Sequence, residues 1–240
     1  TFPNSSFSSN DYILVFASGE GQQSIIQHWE TVVDWGDDWK YFLGASNPPI
    51  NWLYPEFDDS DWLSGPSGFG YGDGDDATVV STYMSVFVRK SFDIESIENI
   101  SRIILHVDYD DAFVAYLNGI EIARSNIGTP GVIPNFNEGA YEWHEAVMFS
   151  GGEPEEFEIE FEPNMLMNEG NILAIQVHNF NQISSDMTLI PFFTLGMLEQ
   201  PSELSGPSEF LDFPLTNFHA DFKIDSDGEN IILTNPFGEI

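Results

Sequence analysis

The sequence contains no cysteine and only six lysine and arginine residues in 240. Without cysteine there are no disulfides, so stability must come from a hydrophobic core or from bound ions. No apolar run is long enough to span a bilayer, and we therefore predict no membrane insertion. The shortage of basic residues also leaves the acidic side chains without enough positive partners.

Acidic residues dominate the charge, with 40 aspartates and glutamates and a formal net charge of −34. Such a surface repels the phosphates of nucleic acids and of anionic membranes, so we predict no nucleic-acid partner. The same surface attracts divalent cations and suits high salt, where screening is short-ranged.

Hydrophobic residues make up 42% of the chain and aromatic residues 15%, which is ample for a packed core. Short apolar or alternating segments, punctuated by Gly, Pro and Asn, predict an all-β antiparallel sandwich. The pair Asn118-Gly119 is typical of a two-residue type I′ hairpin, because both positions need a positive φ. The predicted strands cover residues 12–18, 85–92, 102–109, 112–124, 155–163, 171–180 and 189–198.

Both ends of the chain carry motifs of one kind. Residues 1–20 read TFPNSSFSSNDYILVFASGE, and residues 215–240 read LTNFHADFKIDSDGENIILTNPFGEI. In this order they resemble consecutive parts of a bacterial lamin-tail domain. The resemblance implies a partial immunoglobulin-like sandwich that is split in the sequence and truncated.

The middle of the chain carries motifs of another kind, such as FDDSDWLSGPSGFGYG at 57–72, DYDDAFVAYLNGIEIAR at 108–124 and GNILAIQVHN at 170–179. These resemble the galactose-binding-like jelly-roll domains of glycosidases and secreted bacterial proteins. We therefore expect a jelly roll inserted into the lamin-tail sandwich. The predicted division is 1–28 (lamin-tail, first part), 29–199 (jelly roll), 200–214 (linker) and 215–240 (lamin-tail, second part).

The resemblance also implies a setting. Such modules occur with lamin-tail domains in large secreted proteins of marine Bacteroidetes-type bacteria, beside CotH-type kinase domains, although no motif here resembles that kinase. We therefore expect an extracellular or cell-surface fragment of a larger protein. Its expected partners are a polysaccharide or cell-surface glycan and other domains of the same protein.

The loop YGDGDDATVV at 71–80 offers the carboxylates of Asp73, Asp75 and Asp76 among glycines. Calcium takes about six to eight oxygen ligands, so these three aspartates are the predicted metal ligands of a structural Ca²⁺. The pattern is not that of an EF-hand. The alternative is that Asp73 and Asp75 are turn formers in a protein that is acidic throughout.

No pattern in the sequence predicts catalysis. The histidines lack metal-ligand spacing, and neither a nucleophile elbow nor a phosphate-binding loop is present. Asp108, Asp110 and Asp111 precede an apolar strand, where an acid orders the neighbouring turn in the domains that the chain resembles. We therefore predict no enzyme activity and a structural role for these acids.

Aromatic side chains in loops are the other binding signal, because exposed rings stack on sugars. The predicted ligand-binding residues are Tyr141 and Trp143, in the polar loop NEGAYEWHEA, together with Trp52 and Tyr54. The alternative for each tryptophan is a place in the core. The function predicted from the sequence is non-catalytic carbohydrate binding or adhesion, and its rival is a purely structural spacer or assembly module.

Overall fold

A computed structural model describes residues 15–16, 26–74, 76–201, 206–213 and 218–219. Across these ranges the regular structure consists of β-strands and short 3₁₀ turns, with no α-helix. The strands are β1 (Val15–Phe16), β2 (His28–Val33), β3 (Asp38–Leu43), β4 (Leu63–Pro66), β5 (Phe69–Tyr71), β6 (Thr78–Val79), β7 (Ser85–Phe92), β8 (Ile100–Asp110), β9 (Ala112–Leu117), β10 (Ile120–Ser125), β11 (Glu155–Ile159), β12 (Asn171–His178), β13 (Met187–Met197) and β14 (Phe218–His219). The 3₁₀ turns are Ile50–Leu53, Ile97–Asn99, Met148–Ser150 and Pro163–Met165.

The first sheet has the strand order β10-β9-β12-β7-β3-β4, and all its pairings are antiparallel. The hairpin between β9 and β10 turns at Asn118 and Gly119, whose φ values are 50° and 90°. Both residues have the positive φ that a type I′ turn requires. The predicted hairpin is therefore confirmed.

The second sheet has the order β11-β8-β13-β5-β6, and β2 also pairs with β13. β13 is bordered by β8 on one edge and by the shorter β2 and β5 on the other. The pairing of β5 with β6 is parallel, and the other pairings in this sheet are antiparallel. The predicted all-β, antiparallel-rich sandwich is confirmed.

The main core lies between the two sheets. It forms because successive side chains along a strand point to opposite faces of its sheet. On β7, Val86 and Val88 point into this core, whereas Phe87 belongs to a second cluster on the opposite face. Leu105 on β8 and Phe193 on β13 face the same core from the second sheet. Each central strand therefore buries both of its faces, which explains why β9 reads as a continuous apolar run and why every residue of β12 is buried.

A second hydrophobic cluster covers the outer face of the first sheet. Trp52 and Trp62 stack there with ring centroids 6.1 Å apart, and Phe87 contacts the Trp52 ring edge-on. The buried Arg89 donates to the Asp59 carboxylate at 2.7 Å and to the carbonyl of Trp52. This guanidinium holds the 50–59 segment against the sheet.

Residues 206–213, which we call the strap, pack against β2. The backbone N–H of Ser208 donates to Thr31 Oγ1 at 2.9 Å, and the N–H of Thr31 donates to the carbonyl of Gly206 at 3.1 Å. The ring of Phe213 stacks on Trp29 with centroids 4.7 Å apart. These residues belong to the predicted linker 200–214, and their contacts fix them to the sandwich.

Within the described residues, the two terminal segments meet in a short pairing. β1 and β14 are parallel, with Val15 opposite Phe218 and Phe16 opposite His219. The split-domain hypothesis requires this contact. Most residues of 1–28 and 215–240 lie outside the described ranges, so the division into domains stays a prediction.

Candidate functional site

The candidate site lies where the chain passes from the second sheet to the first. β8 ends at Asp110 and β9 starts at Ala112, with a cis peptide between Asp110 and Asp111. Three buried aspartates stand at this point, namely Asp108, Asp110 and Asp111. Their surroundings differ, and the differences assign them different roles.

Asp108 and Asp111 each accept two backbone hydrogen bonds from neighbouring loops. Asp108 binds the N–H groups of Val147 and Met148, both at 2.8 Å. Asp111 binds the N–H of His144 at 2.9 Å and that of Phe180 at 2.6 Å. Burial raises the pKa of Asp108, and its two backbone bonds oppose that rise. Both carboxylates order the adjacent loops, as the sequence predicts for acids at this position.

Within the described ranges Asp110 accepts no such pair of backbone hydrogen bonds, although its side chain contacts that of Asp111. It is 4% exposed, and within the described ranges its Oδ1 atom is buried without a hydrogen-bond partner. Single carboxylate oxygens of Asp110, Glu145 and Asp186 all lie within 4.8 Å of one another. We call these three residues the acidic cluster. Burial, together with the charges of Asp111, Asp186 and Glu145, raises the pKa of Asp110 to about 9.

The loop predicted to bind metal lies beside the acidic cluster. Asp73 Oδ2 accepts a hydrogen bond from Thr188 Oγ1 at 2.9 Å, and Thr188 is the register partner of Asp110. A side chain at Gly72 would meet the backbone and Cβ of Asp186, so the loop packs closely there. Asp75 lies outside the described residues. Metal binding by Asp73, Asp75 and Asp76 together therefore stays a prediction.

The two predicted loop aromatics occupy the rim of the same region. Tyr141 is 64% exposed and Trp143 is 75% exposed. Trp143 meets the ring of Phe180 edge-on at a centroid distance of 5.9 Å. Two residues further along the chain lies Glu145, so this aromatic pair and the acidic cluster share one loop.

Backbone contacts hold the aromatic loop in place. The N–H of Tyr141 donates to the carbonyl of Asn126 at 2.8 Å, and Asn126 Nδ2 donates to the carbonyl of Glu142 at 2.6 Å. The ring of His144 stacks on Tyr109 at 4.0 Å, with Nε2 lying 2.9 Å from Glu155 Oε1. The exposed rings therefore stand on a fixed backbone.

The other two predicted ligand-binding residues lie elsewhere. Trp52 is 1% exposed inside the second hydrophobic cluster, so the structure places its ring in the core. Tyr54 is 47% exposed and packs on Gly119 at the β9–β10 turn. That turn is at the far end of β9 from Asp111, roughly 20 Å away at about 3.3 Å per residue. Tyr54 and the aromatic loop do not form one site.

Glu145 and Asp186 are members of the cluster that the sequence did not single out. They occur in EWHEA and SSDM, distant from Asp110 in sequence and without a recognisable ligand spacing. Only the packing of two loops against the end of β8 brings the three together.

No family model and no curated protein matches the chain. Parts of several solved glycosidase structures have a similar sandwich. A calcium-binding mutant of Bacteroides uniformis beta-glucuronidase 2 is 17% identical, with a TM-score of 0.43, over 70% of this chain and 18% of that chain. A beta-glycosidase from Bacteroides vulgatus is 11% identical, with a TM-score of 0.44, over 69% of this chain and 20% of that one. A beta-glucuronidase from an uncultured Clostridium sp. is 15% identical, with a TM-score of 0.41, over 71% and 29% of the two chains.

This chain therefore spans less than a third of the length of each of these glycosidases. Likeness at this level carries no functional information, so the residues of this chain alone support its function. Among the residues that the structure describes, no helix has the length and apolar character needed to cross a membrane.

Proposed function

We propose that this chain is a non-catalytic carbohydrate-binding module of a larger extracellular protein, with Tyr141 and Trp143 as its sugar-contacting surface. The observation that carries the proposal is a pair of largely exposed aromatic rings, 64% and 75% exposed, on a loop with a fixed backbone. Rings that are held in place lose little conformational freedom on binding, and a flat ring matches the apolar face of a pyranose.

The polar surroundings of these rings suit a sugar. Glu145 is exposed and Asp186 is partly exposed, and both are near the aromatic loop. Their carboxylates are acceptors for sugar hydroxyl groups. A ring face beside polar acceptors is the combination that fixes both the position and the orientation of a small polar ligand.

A catalytic role is disfavoured by the burial of the acids. A glycosidase needs a protonated carboxyl that touches the scissile bond and a second carboxylate across a sugar-sized gap. The carboxyl whose pKa rises to about 9, that of Asp110, is only 4% exposed. Asp108 and Asp111 are occupied by backbone N–H groups. No substrate reaches these three groups in this arrangement.

The extracellular setting and the split lamin-tail domain belong to the same proposal. The parallel β1–β14 pairing supports the split, because it joins the two segments that carry the lamin-tail motifs. A structural spacer is the rival function, and it requires no ligand at the aromatic loop.

Affinity electrophoresis through gels that contain single polysaccharides tests the proposal. The wild type should be retarded by at least one of them. Trp143→Ala and Tyr141→Ala should each weaken retention, by up to about tenfold in affinity, since an aromatic contact contributes roughly 0.5–1.5 kcal/mol. Ile50→Ala is the matched control, because Ile50 is as exposed as Trp143, at 75%, and lies outside the loop.

Each outcome decides between the functions. Loss of retention in the aromatic variants, with normal retention of Ile50→Ala and unchanged melting temperatures, supports sugar binding at this loop. Retention that survives both aromatic substitutions places the site elsewhere. A wild type that no polysaccharide retards favours the spacer.

A further inference from the structure

We infer that the acidic cluster is a calcium site, in which Asp110, Glu145 and Asp186 supply carboxylate ligands from three separate segments. This inference does not depend on sugar binding, since it rests on the cluster alone. It differs from the sequence prediction, which assigned the metal to the neighbouring 73–76 loop.

The spacing of the three carboxylates fits the ion. One oxygen of each lies within 4.8 Å of one oxygen of each of the others. Ligands stand about 2.3–2.6 Å from a bound calcium ion, so oxygens on opposite sides of it are about 5 Å apart. The ion pairs that form among the described residues all involve other acids. The three clustered carboxylates therefore have no basic side chain as a counter-charge there.

The unpartnered Oδ1 atom of Asp110 is a second indication of a bound cation, separate from the spacing of the three carboxylates. Two of the three aspartates at the end of β8 receive two backbone N–H groups each, whereas Asp110 Oδ1 is buried with no described partner. A buried carboxyl oxygen without a hydrogen-bond partner costs free energy. A cation that contacts this oxygen removes the cost.

Further oxygens are available nearby. Tyr71 is the register partner of Met187, the residue that follows Asp186. Its hydroxyl accepts a hydrogen bond from Asn179 Nδ2 at 2.9 Å. Asn179 Oδ1 and Asp73 Oδ1 are also buried without a described partner. This concentration of oxygen atoms suits an ion of high coordination number.

The donor chemistry selects calcium over other ions. Zinc prefers nitrogen and sulfur ligands, but the chain has no cysteine. His144, the chain neighbour of Glu145, places its ring nitrogens 2.9 Å from Tyr109 O and 2.9 Å from Glu155 Oε1. Magnesium requires a strict octahedron and keeps several waters, whereas calcium accepts carboxylates from flexible loops in varied geometry.

Calcium titration of the full chain tests the inference, by calorimetry and by melting temperature, after chelation and at constant ionic strength. Calcium alone is the probe, so the result is independent of any glycan. We expect saturable binding by the wild type and at least tenfold weaker binding by Glu145→Gln and by Asp186→Asn. Glu142→Gln is the control, because it removes the same charge from the same loop outside the cluster.

Asp110→Asn gives a second, sharper test. Without calcium this variant should melt at or above the wild-type temperature, because it removes one of three acidic groups that are crowded together. With saturating calcium it should melt below the wild type, because a ligand has been lost. Only a cation bound at Asp110 would reverse the order of the two melting temperatures in this way.

Three outcomes overturn the inference. One is a wild-type melting temperature that calcium leaves unchanged. Another is an equal response of the wild type, Glu145→Gln and Asp186→Asn, which indicates diffuse binding to an acidic surface. The last is an Asp110→Asn variant that melts on the same side of the wild-type melting temperature with and without calcium.

Discussion

His178 is enclosed by the first sheet and by the loop that follows β10. It has no exposed surface, and its Nδ1 lies 2.8 Å from the carbonyl oxygen of Glu138. Burial lowers the pKa of His178 from 6.5 to about 4, and the more distant charge of Arg124 acts in the same direction. The folded protein therefore holds this imidazole in its neutral form.

We expect the protein to lose stability as the pH falls from 6.5 towards 4. The unfolded chain takes up a proton on His178 in this window and the folded chain does not, so the contribution is complete above pH 6.5 and is lost on acidification. The loss is about 3 kcal/mol at about 1.4 kcal/mol per pH unit. Denaturant unfolding of the wild type and His178→Gln at pH 7 and pH 4 measures it.

Comparing the wild type with His178→Gln separates the contribution of His178 from that of the carboxylates, because the carboxylates titrate in both proteins. The difference in unfolding free energy between wild type and His178→Gln should be about 3 kcal/mol smaller at pH 4 than at pH 7. A difference that is the same at both pH values contradicts the assignment.

At the scale of residues, the role of a side chain is predictable from the sequence where neighbouring residues determine it. The acids before β9 were expected to order a turn, and Asp108 and Asp111 do so. Which acid is left without a partner could not be predicted, since the donors come from loops distant in sequence. Likewise, the burial of Trp52 could not be predicted, because it depends on Trp62, Phe87 and Arg89 packing around it.

Among the elements, the β9–β10 hairpin allows a direct test of turn strain. Gly119 has φ of 90°, and a Cβ there would overlap the ring of Tyr54. Gly36 has a similar φ of 81° with open space around its Cβ position. The two glycines therefore share the backbone requirement and differ in the contact.

We expect Gly119→Ala to lower the unfolding free energy by about 1–3 kcal/mol, and by more than Gly36→Ala does. Chemical denaturation of both variants gives the comparison. Introducing Gly119→Ala into a Tyr54→Ala background should remove the excess. Equal costs for the two glycine substitutions would show that the Tyr54 ring moves aside freely.

The long central strands were predicted from the sequence and the short edge strands were not. β7 to β13 correspond to alternating or apolar runs that are readable in isolation. β4 reads LSGP and β5 reads FGY, and neither is long enough to show the alternation of apolar and polar residues that marks a strand. Residues 28–33 are not among the strands predicted from the sequence, but they form β2, which pairs with the long edge of β13.

For the whole molecule, the net charge of −34 predicts a response to salt. Repulsion among acids opposes the compact state, and its range falls from about 10 Å at 0.1 M to about 3 Å at 1 M salt. We expect NaCl, with chelator present, to raise the melting temperature by about 2–4 °C for each kcal/mol of repulsion that it screens. Differential scanning calorimetry from low salt to about 0.5 M would measure this. A flat melting temperature would mean that the charges are too dispersed to affect folding.

The pairing of Val15 with Phe218 also determines how the chain would transmit force. It closes nearly the whole described sandwich into a loop whose two ends are joined by hydrogen bonds. Tension that arrives through the chain before residue 15 and leaves it after residue 218 pulls two parallel strands in opposite directions. That geometry loads the bonds in shear. Until the pair slips, the sandwich, with its aromatic loop and acidic cluster, stays off the path of the load.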